Sequence, residues 1–100
     1  MTCAYKCAYN NDMFEWDSTK NRINQKKHVV SFADTFAVFE DPNALTIDTY
    51  EYGEDRYVTM GMDCFGRVLL VTYTWRDENI RIISARKAIK SEVKQYESQL

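Results

Sequence analysis

A chain of 100 residues with 45% hydrophobic and 28% charged side chains can build one modest core but not two, and is too apolar to be a disordered segment. Its net charge of −2 argues against a general nucleic-acid binder, and no run approaches the roughly 18–20 apolar residues of a membrane span. The three cysteines are odd in number and follow no secretory leader, which speaks against a disulfide scaffold and for a reducing, cytoplasmic setting.

Residues 1–12, MTCAYKCAYNND, show no clear period and read as a loose leader to a single domain over residues 13–100. Met13–Trp16 alternates like a short strand. Asp17 is a good N-cap for a helix running to about Lys27, because its carboxylate can accept the free N–H groups that open a helix. That helix sets Lys20, Asn24, Lys27 and His28 on one face, and Ile23 is its only apolar residue, so most of it should face water. Ser31 with Asp34 three residues on opens a second helix. Its stripe of Phe32, Phe36 and Phe39, joined by Ala33 and Ala37, belongs to the core, and Pro42 limits it.

Four strands follow, separated by turn chemistry. Leu45–Tyr52 alternates, Gly53-Glu54-Asp55 turns, and Arg56–Met62 puts Val58, Met60 and Met62 on one face. Asp63–Gly66 makes a hairpin loop into Val68–Trp75, which is apolar on both faces at its start and so reads as central. After Asp77-Glu78-Asn79 comes a last strand from Ile80 to about Ala85. A closing helix from Ile89 to Glu97 then aligns Ile89, Val93 and Tyr96.

Charge is segregated along the chain. Lys20, Arg22, Lys26, Lys27 and His28 lie in an acid-free stretch, residues 34–63 are strongly acidic with Arg56 the one base, and Arg81, Arg86, Lys87, Lys90 and Lys94 enrich the end. A fold that gathers the two basic segments would present a face suited to phosphate; otherwise they are solvated helix faces.

There is no glycine loop for nucleotides, no nucleophile elbow, and one histidine among the possible zinc ligands, so no metal or other cofactor is expected. RNA cleavage needs less equipment. The 2′-hydroxyl is the nucleophile, and the protein must move two protons and stabilise charge on the phosphorane. His28 suits proton transfer because histidine titrates near neutrality, although at a helix C-terminus it could equally be structural. Lys20 and Lys27 share its face. Arg81 shares a strand face with Ile83 and Ala85, and Arg86 has the opposite parity unless a bulge intervenes. Arginine in an apolar strand needs a partner, either phosphate or an acid such as Asp48 or Glu51.

Phe14-Glu15-Trp16-Asp17-x-x-Lys20, followed by Asn24-x-x-Lys27-His28-x-x-Ser31-Phe32, Phe39-x-Asp41-Pro42, Arg56–Gly61 and Arg81–Ala88, resembles the BrnT family of type II toxins in order over roughly residues 14–97. The resemblance implies an α+β, RelE-like fold: two N-terminal helices packed on a mainly antiparallel four- to five-stranded sheet with a C-terminal helix. It implies metal-independent cleavage of messenger RNA, growth inhibition, and neutralisation by a BrnA-type antitoxin that alone carries DNA binding to the operator, with a dimer or 2:2 complex allowed. His28, Lys27, Arg81 and Arg86 are then the candidate catalytic residues, and Lys20, Arg56, Ser84 and Lys87 the candidate phosphate contacts. The alternative is a non-catalytic module that binds an antitoxin and serves autoregulation. Two positions depart from the family pattern: Val29 stands where glycine is frequent, and Ile89 where threonine caps the last helix.

Overall fold

A computed structural model describes residues 13–51, 53–98 and 100. The expected leader over residues 1–12 lies outside the described residues. The elements are β1 (Phe14–Glu15), α1 (Ser18–His28), two 3₁₀ segments (Phe32–Phe36 and Val38–Glu40), β2 (Leu45–Glu51), β3 (Glu54–Met62), β4 (Val68–Arg76), β5 (Asn79–Lys87) and α2 (Lys90–Glu97). No helix among the described residues is long and apolar enough to cross a membrane.

The class is α+β as expected, but two details of the expected layout are corrected. The sheet is mixed, in the order β1-β5-β4-β3-β2, because β1 pairs parallel with β5 while the other neighbours are antiparallel. The expected second N-terminal helix is two 3₁₀ turns rather than an α-helix. The burial pattern accounts for this. Phe32, Thr35 and Val38 are all fully buried, a spacing of three that an i→i+3 helix keeps on one side. The Thr35 hydroxyl donates to the Phe32 carbonyl at 2.7 Å, consistent with the tighter winding. The Ser31 cap forms as expected: its Oγ accepts the Ala33 N–H, and the Asp34 carboxylate accepts the Ser31 N–H.

One sheet face carries the core. Leu69, Val71, Tyr73, Ile80, Ile82 and Ala85 pack against Val30, Phe32 and Val38, with Phe14 and Trp16 at the margin. Each large apolar side chain so buried contributes about 1.5–3 kcal/mol. Gly61 lets β3 approach the 3₁₀ segment, since a Cβ there would meet Val38 Cγ1 at 3.0 Å and the Val38 carbonyl at 3.1 Å.

Helix α1 has almost no apolar stripe and is fixed by amides instead. Asn24 is buried; its Nδ2 donates to the carbonyls of Val30 (2.9 Å) and Ala85 (2.8 Å), and its Oδ1 accepts the Ala85 N–H at 3.2 Å. The carboxamide thus continues the hydrogen bonding of the β5 edge where β1 has ended. Asn21 Oδ1 accepts the Phe32 N–H at 2.8 Å, closing the turn below. That turn passes through Val29, whose φ of 59° is left-handed although it is not glycine. Arg67 holds it, donating from Nη1 to the Val29 carbonyl at 3.0 Å while pairing with Asp34 and Asp63. Burial works against the Arg67 charge, but the two carboxylates outweigh it and raise its pKa above the ordinary value.

Cys64, in the β3–β4 loop, is disulfide-bonded, although the sequence speaks against a disulfide scaffold; Cys3 and Cys7 lie outside the described residues.

Candidate active site

The geometry of β5 decides which cations can meet. Thr72 pairs with Ser84 but Tyr73 with Ile82, so Ile83 is an extra residue and the strand is bulged. Before the bulge Ile80 and Ile82 point into the core; after it Ala85 does. The extra residue therefore places Arg81, Ser84 and Arg86 together on the face away from the core. This one residue corrects the expectation that Arg81 shares a face with Ala85, and it is the bulge on which the parity of Arg86 depended.

On that outer face two hollows adjoin beside α1. One of about 210 Å³ is lined by Lys20, Ile23, Asn24, Lys27 and His28 from α1 and by Ile83 and Ser84 from β5. The other, of about 150 Å³, is lined by His28, Leu70, Thr72, Ser84 and Arg86 among others. His28 and Ser84 belong to both. The cause is local: Asp17 caps α1 by accepting the Thr19 and Lys20 N–H groups at 2.8 and 3.1 Å, which sets the helical phase, and Asn24 presses that phase against the bulge. The same N–H groups of Lys20 and Thr19 hold the Asp17 carboxyl below its usual pKa.

Of the residues selected from sequence, Lys20, Lys27, His28, Ser84 and Arg86 come together in these two hollows. The remaining ones do not line them. Arg81 Nη1 donates to Glu15 Oε1 at 3.2 Å, a pairing made possible by the parallel β1–β5 register. Arg56 pairs with Glu54 at 3.1 Å, and Lys87 is exposed at the end of β5. Arg86 also has an acid partner. Its Nη1 and Nη2 donate to Glu92 Oε1 and Oε2, both at 3.0 Å. This fork holds the Arg86 pKa above and the Glu92 carboxyl below their ordinary values. Among the described residues the acid partners of Arg81 and Arg86 are Glu15 and Glu92.

Sequence reasoning placed Asn24 on the right helix face but gave it no role. Its signal was available: a polar residue at the centre of a helix face that must meet an edge strand. Arg67 carried no comparable signal, because its three acceptors come from separate parts of the chain.

The class of protein so defined is a small α+β domain in which an amide-anchored cationic helix lies over a bulged strand. Residues 16–92 match the sequence profile described as "Ribonuclease toxin, BrnT, of type II toxin-antitoxin system", and the chain belongs to that family. Among solved structures, the 1.1 Å crystal structure of the Brucella abortus ribonuclease toxin BrnT is similar to this chain, with 27% identity and a TM-score of 0.66. The match covers 78% of this chain and 99% of that one. A comparison with curated proteins gave no significant match.

Proposed function

We propose that this chain is an active, metal-independent endoribonuclease that cleaves messenger RNA and is held in check by a BrnA-type antitoxin. The observation that supports this reading is the convergence of Lys20, Lys27, His28, Ser84 and Arg86 on two hollows that share His28 and Ser84. In the proposed reaction the 2′-oxygen attacks the adjacent phosphorus and loses its proton. The bond to the 5′-oxygen breaks as that oxygen takes up a proton, leaving a 2′,3′-cyclic phosphate and a 5′-hydroxyl. His28 and Lys27 stand nearest the two proton transfers. Arg86 stabilises the phosphorane once phosphate displaces Glu92 from its fork, a like-for-like exchange of bidentate anions. Lys20 and Ser84 hold the same phosphate, and Arg81, Arg56 and Lys87 serve flanking ones. The antitoxin is the partner that carries operator DNA binding, in a dimer or 2:2 assembly.

The test is cleavage of messenger RNA by purified protein in chelator. His28→Ala should lower the rate by about 10²–10⁴-fold. If wild type cuts no faster than a His28→Ala, Arg86→Ala double variant, the enzymatic reading falls.

One observation favours the alternative of a non-catalytic antitoxin-binding module: Arg56, Arg81 and Arg86 each already face a carboxylate. Expression without the antitoxin separates the two readings. Growth arrest relieved by the antitoxin supports the toxin; harmless expression with tight antitoxin binding supports the module.

A further inference from the structure

The outer sheet face does not end at Arg86. A third hollow of about 260 Å³ lies between β2, β3, β4 and α2, walled by Leu45, Thr46, Ile47, Val58, Met60 and Leu70 and rimmed by Glu92 and Gln95. Val58 and Leu70 also line the hollow that contains His28, Ser84 and Arg86. The three hollows therefore adjoin in a row along the outer face, a trough of neighbouring hollows that is cationic beside α1 and apolar towards β2. In the ligand-free protein the Arg86–Glu92 pair at the junction contributes little net charge; with phosphate on Arg86, Glu92 still accepts the Ile89 N–H. Both Glu92 oxygens are engaged, since Oε1 accepts from Arg86 and from the Ile89 N–H, and Oε2 from Arg86.

We infer that the apolar end of this trough is a nucleobase subsite, whose occupant is the base next to the phosphate held at His28, and that Gln95 reads its edge. This rests on the ribonuclease reading given above. Charge complementarity supports it: a nucleotide is anionic at its phosphate and neutral and planar at its base, and the trough runs from cations to aliphatic walls in the same order. Size supports it as well. The hollow is smaller than the about 300–1,000 Å³ typical of drug-sized ligands, so it suits a single ring system. Met60, nearly buried on its floor, can set a polarizable thioether against a ring, and the exposed Gln95 carboxamide can both donate to and accept from a base edge.

The experiment is a titration of the full chain followed by NMR of the His28 ring and the Ile47 and Met60 methyls. The probes are inorganic phosphate, ribose 5-phosphate and the four nucleoside 3′-monophosphates. Every probe should move His28, and only those bearing a base should also move Ile47 and Met60. If the nucleotides move His28 but not the two methyls, the subsite is refuted while the phosphate site stands. If no probe moves His28, both readings fail. Methyls that respond only to added antitoxin would make the hollow a protein-binding surface and overturn the proposal. Gln95→Ala should narrow the spread of affinities among the four nucleotides by about fivefold, the effect of one lost hydrogen bond. An unchanged spread removes Gln95 as the reader.

Discussion

Arg86 and Glu92 face each other through two parallel 3.0 Å hydrogen bonds, and the same Glu92 caps the helix that carries it by accepting the Ile89 N–H at 2.9 Å. The carboxylate thus keeps its own half of a capping box, while isoleucine at position 89 has no acceptor to supply the other half, and it occupies the guanidinium that a phosphate would need. Structure and ligand binding compete here for one side chain.

Glu92→Gln should therefore strengthen RNA binding, with the slope of log affinity against log salt steepening by about one phosphate contact. It should weaken the fold by about 0.5–1 kcal/mol, as expected for a partly exposed pair. The sign with pH follows from the lowered Glu92 pKa. Its stabilising contribution is present above the ordinary value of 4.5 and is lost as pH falls through the folded-state value. Urea titrations of wild type and variant should converge as the pH is lowered below 4.5.

Tyr96 anchors the far end of α2 by donating its hydroxyl to Asp41 Oδ2, an oxygen that also accepts the Met62 N–H. Burial, reinforced by the adjacent carboxylate, pushes the Tyr96 pKa up to about 12. A phenol whose folded pKa is raised contributes stability that is complete below the unfolded value of 10.0 and disappears as pH rises towards 12. Tyr96→Phe should cost about 1–2 kcal/mol at neutral pH. Thermal melts between pH 9 and 12 should show a shallower alkaline loss in the variant than in wild type.

Asn24→Ala should be the most damaging polar substitution in α1. It leaves the Ala85 N–H and two carbonyls without partners in a buried place, at a cost of about 3 kcal/mol. Asn24→Asp should do no better, because a carboxylate cannot donate to the Val30 and Ala85 carbonyls. Denaturant unfolding measures the cost, and faster amide exchange at Ala85 would assign it to the β5 edge.

Val29→Gly should stabilise the protein. Valine pays for its left-handed φ of 59° with a steric penalty of about 1–2 kcal/mol, and at 69% exposure it has little packing to lose. After allowance for glycine's unfolded-state entropy, a net gain of about 0.5–1 kcal/mol is expected in urea unfolding. Backbone geometry thus favours glycine here, and this chain keeps that geometry in spite of its valine.

The capped first helix, the four long strands, the turns between them and the closing helix were legible because each is written in local periodicity and in residues such as Asp17, Gly53 and Gly66 that act on their neighbours. The basic face of α1 was legible for the same reason, since helical phase alone aligns Lys20, Asn24, Lys27 and His28. What required tertiary structure was every pairing between distant segments. The parallel seat of β1 on β5, which gives Arg81 to Glu15, has no local signature, and neither does the bulge at Ile83 that turns Ser84 and Arg86 towards His28. A run of phenylalanines marks a core segment, but whether it winds with three or 3.6 residues per turn is decided by what it packs against. Sequence thus determined the elements and their faces. Three-dimensional packing alone decided which charges meet, because electrostatic and hydrogen-bonding partners are chosen by distance in space and not by separation along the chain.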